Sequence, residues 1–83
     1  MDDETMQLLK AMREQLGKTS ASRTVDALAA ANTLGLEGGS LDLDRRLQDL
    51  VVAGYLEEPA NPALMAQGKY LITFEGLAAA DNY

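Results

Sequence analysis

The chain has 83 residues, 47% of them hydrophobic, and 13 acids stand against 7 bases for a net charge of −6 and a pI near 4.3. That length supplies one domain with one core. Neither Cys nor His occurs, which excludes a disulfide framework and a thiolate zinc site and removes the commonest general base and metal ligand.

In chain order, Asp3 to Leu16 is expected to form a first helix, with Met6, Leu9, Met12 and Leu16 on one stripe and acids at its start, where the helix dipole favours them. Gly17 suits the residue after its end, and Lys18 to Ser22 supplies loop and cap chemistry. A second helix is expected to start between Ser22 and Thr24 and run through the alanine-rich stretch towards Leu34. Gly35 to Ser40, with three glycines, then forms a turn. Leu43, Leu47, Leu50 and Val51 recur at i, i+4, i+7 and i+8, the spacing of a third helix that buries one face. Ser40 or Asp42 can cap its start, and Gly54 suits the left-handed residue that closes it.

Tyr55 to Glu58 and Lys69 to Thr73 are expected to pair as antiparallel strands, with Pro59 and Pro62 kept out of the ladder. A short helix from Glu75 to Ala80 ends the chain. Leu9, Leu16, Leu28, Leu47, Leu50, Leu56, Tyr70 and Ile72 are the expected core.

The string Arg45-Arg46-Leu47 through Leu50 to Gly54-Tyr55-Leu56 resembles the recognition helix of the winged helix-turn-helix superfamily. Tyr70-Leu71-Ile72-Thr73-Phe74-Glu75-Gly76 is similar to the Tyr-x-Ile-Thr-x-x-Gly string that ends the wing in MarR-like and PadR-like regulators. The resemblance implies an α+β winged helix-turn-helix domain over residues 1–83, with a three-helix core, a two-stranded β-hairpin wing and a short C-terminal helix. It further implies binding of double-stranded DNA and a role in transcription regulation.

On the third helix, centring the buried face on Leu47 turns Arg45, Asp49 and Val52 outward and sets Arg46 and Gln48 on the flanks. Arginine can contact guanine bidentately and glutamine adenine, so Arg45, Arg46 and Gln48 are the candidate readers of base edges or phosphates. Arg23, Lys18 and Lys69 are the further candidates on elements that approach DNA in this superfamily. The plainer reading pairs Asp42 with Arg46 and Arg45 with Asp49 in a solvated network.

Charge argues the other way, because affinity for DNA comes mainly from basic residues that neutralise phosphates. Setting aside Asp2, Asp3, Glu4 and Asp81 at the chain ends leaves nine acids against seven bases. The wing offers Glu57 and Glu58 against Lys69, and its middle, Ala63 to Ala66, is apolar for a loop. Leu64 and Met65 are therefore candidates for a protein interface, and a homodimer is the expected assembly.

Two functions follow: a small DNA-binding regulator, or an acidic winged-helix module for protein contacts or dimerisation that leaves DNA alone. No enzyme activity, cofactor or metal is expected. No apolar run approaches the ~18 residues of a membrane span, and Met1-Asp2-Asp3-Glu4 is the reverse of a basic secretory leader. A cytoplasmic protein without membrane contact is the expectation.

Overall fold

The computed structural model describes residues 1–17 and 22–83. Helix α1 spans Asp3–Glu14, strand β1 Thr24–Asp26, helix α2 Ala27–Thr33, helix α3 Leu41–Val52, strand β2 Leu56–Glu57, helix α4 Pro62–Ala66, strand β3 Lys69–Ile72 and helix α5 Phe74–Asp81. Among the described residues the architecture is α+β, with five helices and one antiparallel sheet in the order β1-β3-β2. No described helix is long and apolar enough to cross a membrane.

Two expectations about the sheet need correction. Thr24 to Asp26, assigned from sequence to the start of the second helix, is a strand, paired Val25 to Tyr70 and Thr24 to Leu71. The sheet therefore has three strands, since β2 also pairs with β3, Leu56 opposite Ile72. A β-branched pair preceding Asp26 favours the strand, and Asp26 then caps α2 by accepting from Ala29 N at 3.0 Å. Gln15, the residue that caps the end of α1, fixes this junction: its Nε2 donates to Asp26 O at 2.8 Å and its Oε1 accepts from Asp26 N at 2.7 Å.

The connection between β2 and β3 also holds an element unforeseen in the sequence. Asn61 caps α4 by accepting from Ala63 N at 2.9 Å, and Pro62 sits at its first position, where a missing N–H costs nothing. The short helix lies against β3 and leaves Leu64 and Met65 half-buried.

The core gathers Leu8, Leu9 and Met12 from α1, Val25 from β1, Ala27, Ala30 and Ala31 from α2, Leu43, Leu47 and Leu50 from α3, Leu56 and Ile72 from the sheet and Ala80 from α5. Leu16 and Tyr70 pack half-buried at its margin. Leu28 does not belong to it: this side chain is 42% exposed and lies over Gly68 and Gly38. The small residues Ala27, Ala30 and Ala31 fill the inner face of α2, and Leu28 falls outside their stripe.

Helix α3 starts and stops as its residues dictate. Ser40 Oγ accepts from Leu43 N at 3.1 Å. At the other end Gly54, with φ +85°, allows Tyr55 N to donate to Leu50 O at 2.9 Å and Gly54 N to donate to Val51 O at 3.0 Å, a paired closure that satisfies carbonyls the helix would leave open. Thr73 joins this turn to α5: its hydroxyl donates to Gly54 O at 2.6 Å and accepts from Gly76 N at 2.9 Å. A Cβ at Gly76 would run into the Tyr55 carbonyl oxygen and the Ile72 side chain, so only glycine lets α5 approach so closely. The Thr-x-x-Gly string is therefore a structural clasp between α3 and α5.

Candidate functional site

Leu43, Leu47 and Leu50 turn one face of α3 into the core. The opposite face carries Leu41, Asp44, Arg45, Gln48, Asp49 and Val52, all exposed. These are the residues available to a partner.

Arg46 has a different fate. Its Nε donates to Asp42 Oδ2 at 3.0 Å, Nη1 to Asp2 Oδ1 at 2.8 Å and to Thr5 Oγ1 at 2.9 Å, and Nη2 to Glu4 Oε2 at 2.9 Å. Only 8% of its side chain is exposed. A guanidinium buried without partners would be very costly, and here three carboxylates and a buried hydroxyl satisfy it. Asp2 is bound twice over, because the same oxygen caps α1 by accepting from Thr5 N at 2.9 Å. Arg46 therefore bolts the start of α1 to the middle of α3. To act as a reader of bases or phosphates it would have to surrender all four contacts.

The remaining candidates are placed as follows. Arg45, with 59% of its side chain exposed, meets Asp42 Oδ1 at 3.0 Å, a surface pair on one helix that holds it only weakly. Gln48 is exposed on the same face. Lys69, on β3, has Nζ 3.0 Å from Asp26 Oδ2, so it serves the α2 cap. Arg23 lies with Cζ 4.9 Å from the centre of the Phe74 ring, a cation–π contact between the β1 approach and α5. Lys18 lies outside the described residues.

The protonation chemistry follows from these contacts. Thr5, through its hydroxyl and its N–H, and then Arg46, hold the Asp2 carboxyl down to about 2. Hydrogen bonds from Arg46 and then Arg45 lower Asp42, and Asp42 in turn raises Arg46 further. Burial, followed by the negative charges of Glu58 and Asp44, pushes the Tyr70 hydroxyl up.

Charge distribution over the surface is one-sided. Six of the seven basic residues lie among the described ones, and four of these, Arg13, Arg45, Arg46 and Lys69, hold a carboxylate within 3.2 Å. Asp3, Glu14, Glu37, Asp44, Asp49, Glu57, Glu58 and Glu75 are exposed and make no ion pair among the described residues. Between the end of α3, β2 and the start of α5 an open groove of about 580 Å³ has Glu57, Glu58 and Glu75 as its only charged lining among the described residues. Among the described residues no group of three or more acidic side chains is placed to hold a metal ion.

Sequence reasoning put Arg46 on the flank of α3 and paired it with Asp42, as observed, but missed Asp2, Glu4 and Thr5. The available signal was its position three residues after Leu43 and four before Leu50, on the border of the buried stripe, together with the acids at the start of the chain. Neither a known protein family, nor a curated protein, nor a solved structure matches this chain.

Proposed function

We propose that this chain is a small winged-helix domain that binds protein, and not DNA, through the exposed face of α3. The two strings that resemble winged-helix regulators support the fold, as does the sequence of helix, glycine-rich turn, helix and strand pair. One observation carries the choice of partner. Arg46 is drawn inward by Asp2, Glu4 and Asp42, and the outer face of α3 is left with Asp44 and Asp49 beside a single exposed arginine, Arg45. Placing those carboxylates against phosphates combines like-charge repulsion with desolvation. The groove beside the end of α3 adds three more carboxylates and, among the described residues, no compensating base.

The test is a duplex DNA titration followed by anisotropy across a salt series. No binding is expected at about 0.15 M salt, where exposed charges are screened beyond roughly 8 Å. Saturable binding that falls steeply as salt rises would overturn the reading.

The DNA-binding regulator stays as a second reading on one specific ground: Arg45 and Gln48, both able to contact bases bidentately, are exposed side by side on α3. It requires that Arg45→Ala abolish any duplex binding the titration finds.

A further inference from the structure

We propose that the partner is a second copy of this chain, and that the outer faces of two α3 helices pack antiparallel across a two-fold axis. The inference rests on the protein-binding reading above and names the occupant of that surface. Leu41, Arg45, Gln48 and Val52 follow one another at intervals of four, three and four, the spacing of a helix–helix seam. This seam lies opposite the one that Leu43, Leu47 and Leu50 bury in the core. Leu41 is 86% and Val52 77% exposed, the two most exposed large apolar side chains among the described residues. Eleven residues at 1.5 Å rise place them roughly 16 Å apart, one at each end of the seam.

The residues between them are self-complementary. An axis crossing α3 midway between Arg46 and Leu47 sets Leu41 opposite the partner's Val52, and Arg45 opposite the partner's Gln48. It brings Arg45 within one residue of the partner's Asp49, and Gln48 within one residue of the partner's Asp44. One dyad thus supplies an apolar contact, an ion pair and a hydrogen bond, each made twice. Asp44 and Asp49 leave opposite flanks of the seam, as this arrangement needs. A parallel pairing fails the same test, because it would set Arg45 against the partner's Arg45 near the centre of the seam, where the antiparallel pairing sets Gln48. The contact of Arg45 with Asp42 does not block the exchange, being a surface pair within one helix.

A single pair of three-turn helices covers less than the ~1,200 Å² of a standard stable interface, so the dimer is weak and in rapid exchange. Sedimentation equilibrium of the full chain from ~10 µM to ~1 mM at about 0.15 M salt reads it directly. The wild type should shift from monomer to dimer across that range. Leu41→Asp and Val52→Asp should each raise the dissociation constant by about tenfold or more, and Arg45→Asp should do the same. The double exchange Arg45→Asp with Asp49→Arg restores the ion pair in reversed polarity and should return the constant to within about threefold of wild type. Circular dichroism of each variant checks that these exposed substitutions leave the fold intact.

A wild type still monomeric at ~1 mM overturns the dimer, as does a double exchange no tighter than Arg45→Asp alone. A monomer that also ignores duplex DNA removes the self-pairing and leaves the protein-binding reading standing. Arg45-dependent DNA binding removes that reading itself.

Discussion

Arg45 and Arg46 are neighbours in sequence with identical chemistry, and one helix gives them opposite roles. Arg46, at 8% side-chain exposure, is held by residues from the start of α1, whereas Arg45, at 59%, meets only Asp42 on its own helix. A rotation of about 100° per residue accounts for the difference. It turns Arg46 towards the junction with α1 and Arg45 towards solvent. Residue type alone therefore says little about which arginine is free to bind; its angle to the buried stripe decides.

The largest expected effect lies on the inner face. Leu47→Ala removes a side chain only 5% exposed and leaves a cavity between α3 and its neighbours, at a cost of about 2–5 kcal/mol in urea unfolding. A domain of this size has little more to lose. A variant as stable as wild type would mean that α3 is not seated on the core by that face.

Arg46→Leu should come next. The substitution keeps an apolar stem but abandons Asp2, Glu4, Asp42 and the buried Thr5 hydroxyl. The carboxylates are about half exposed and can rehydrate, so the midpoint of urea unfolding should fall by less than for Leu47→Ala. An unchanged midpoint would make Arg46 the equal of Arg45 and dissolve the contrast between them.

Acid should loosen the same junction. Asp2, held at about 2, and Asp42, held below the ordinary carboxylate value, bind protons less readily folded than unfolded. Their stabilisation is complete above the unfolded value of about 3.9 and is lost as pH falls towards about 2. Stability should be level in pH from neutrality to about 5 and then decline. Arg46→Leu should make the decline shallower without abolishing it, because Thr5 still acts on Asp2. An identical acid slope in wild type and variant would show that Arg46 contributes nothing to it.

The smallest effect is expected at Arg45. Arg45→Ala removes one exposed ion pair, worth about 0.2–1 kcal/mol at most, so thermal unfolding should barely move. A loss matching that of Arg46→Leu would mean that Arg45 also supports the fold.

Much of this arrangement was legible in the sequence where the signal is local. The spacing of Leu43, Leu47 and Leu50, the Ser40 cap and the closure at Gly54 all lie within one helix and its ends. The first and last helices were found within two residues at each end. What escaped depends on distant or competing signals. Thr24 to Asp26 runs directly into an alanine-rich helix, and three residues are too few for a strand period to stand out. Its pairing is set by Tyr70 and Leu71, far along the chain.

Asn61-Pro62 announced α4 by its capping chemistry, yet a five-residue helix within a connecting loop is weak in any periodicity. Leu28 looked like core because leucine usually is, while the alanines beside it took the inner positions. Arg46 escaped because Asp2 stands 44 residues away, and no local pattern reports a pairing at that distance.

The most direct measurement compares hydrogen exchange at the Nε–H groups of the two arginines by NMR, with and without duplex DNA at about 0.15 M salt. If α3 commits Arg46 to α1 and leaves only Arg45 free, the Arg46 signal is protected, Arg45 exchanges rapidly, and added duplex shifts neither. Equal, rapid exchange at both, with saturable shifts when duplex is added, would contradict the structural role of Arg46 and return α3 to DNA.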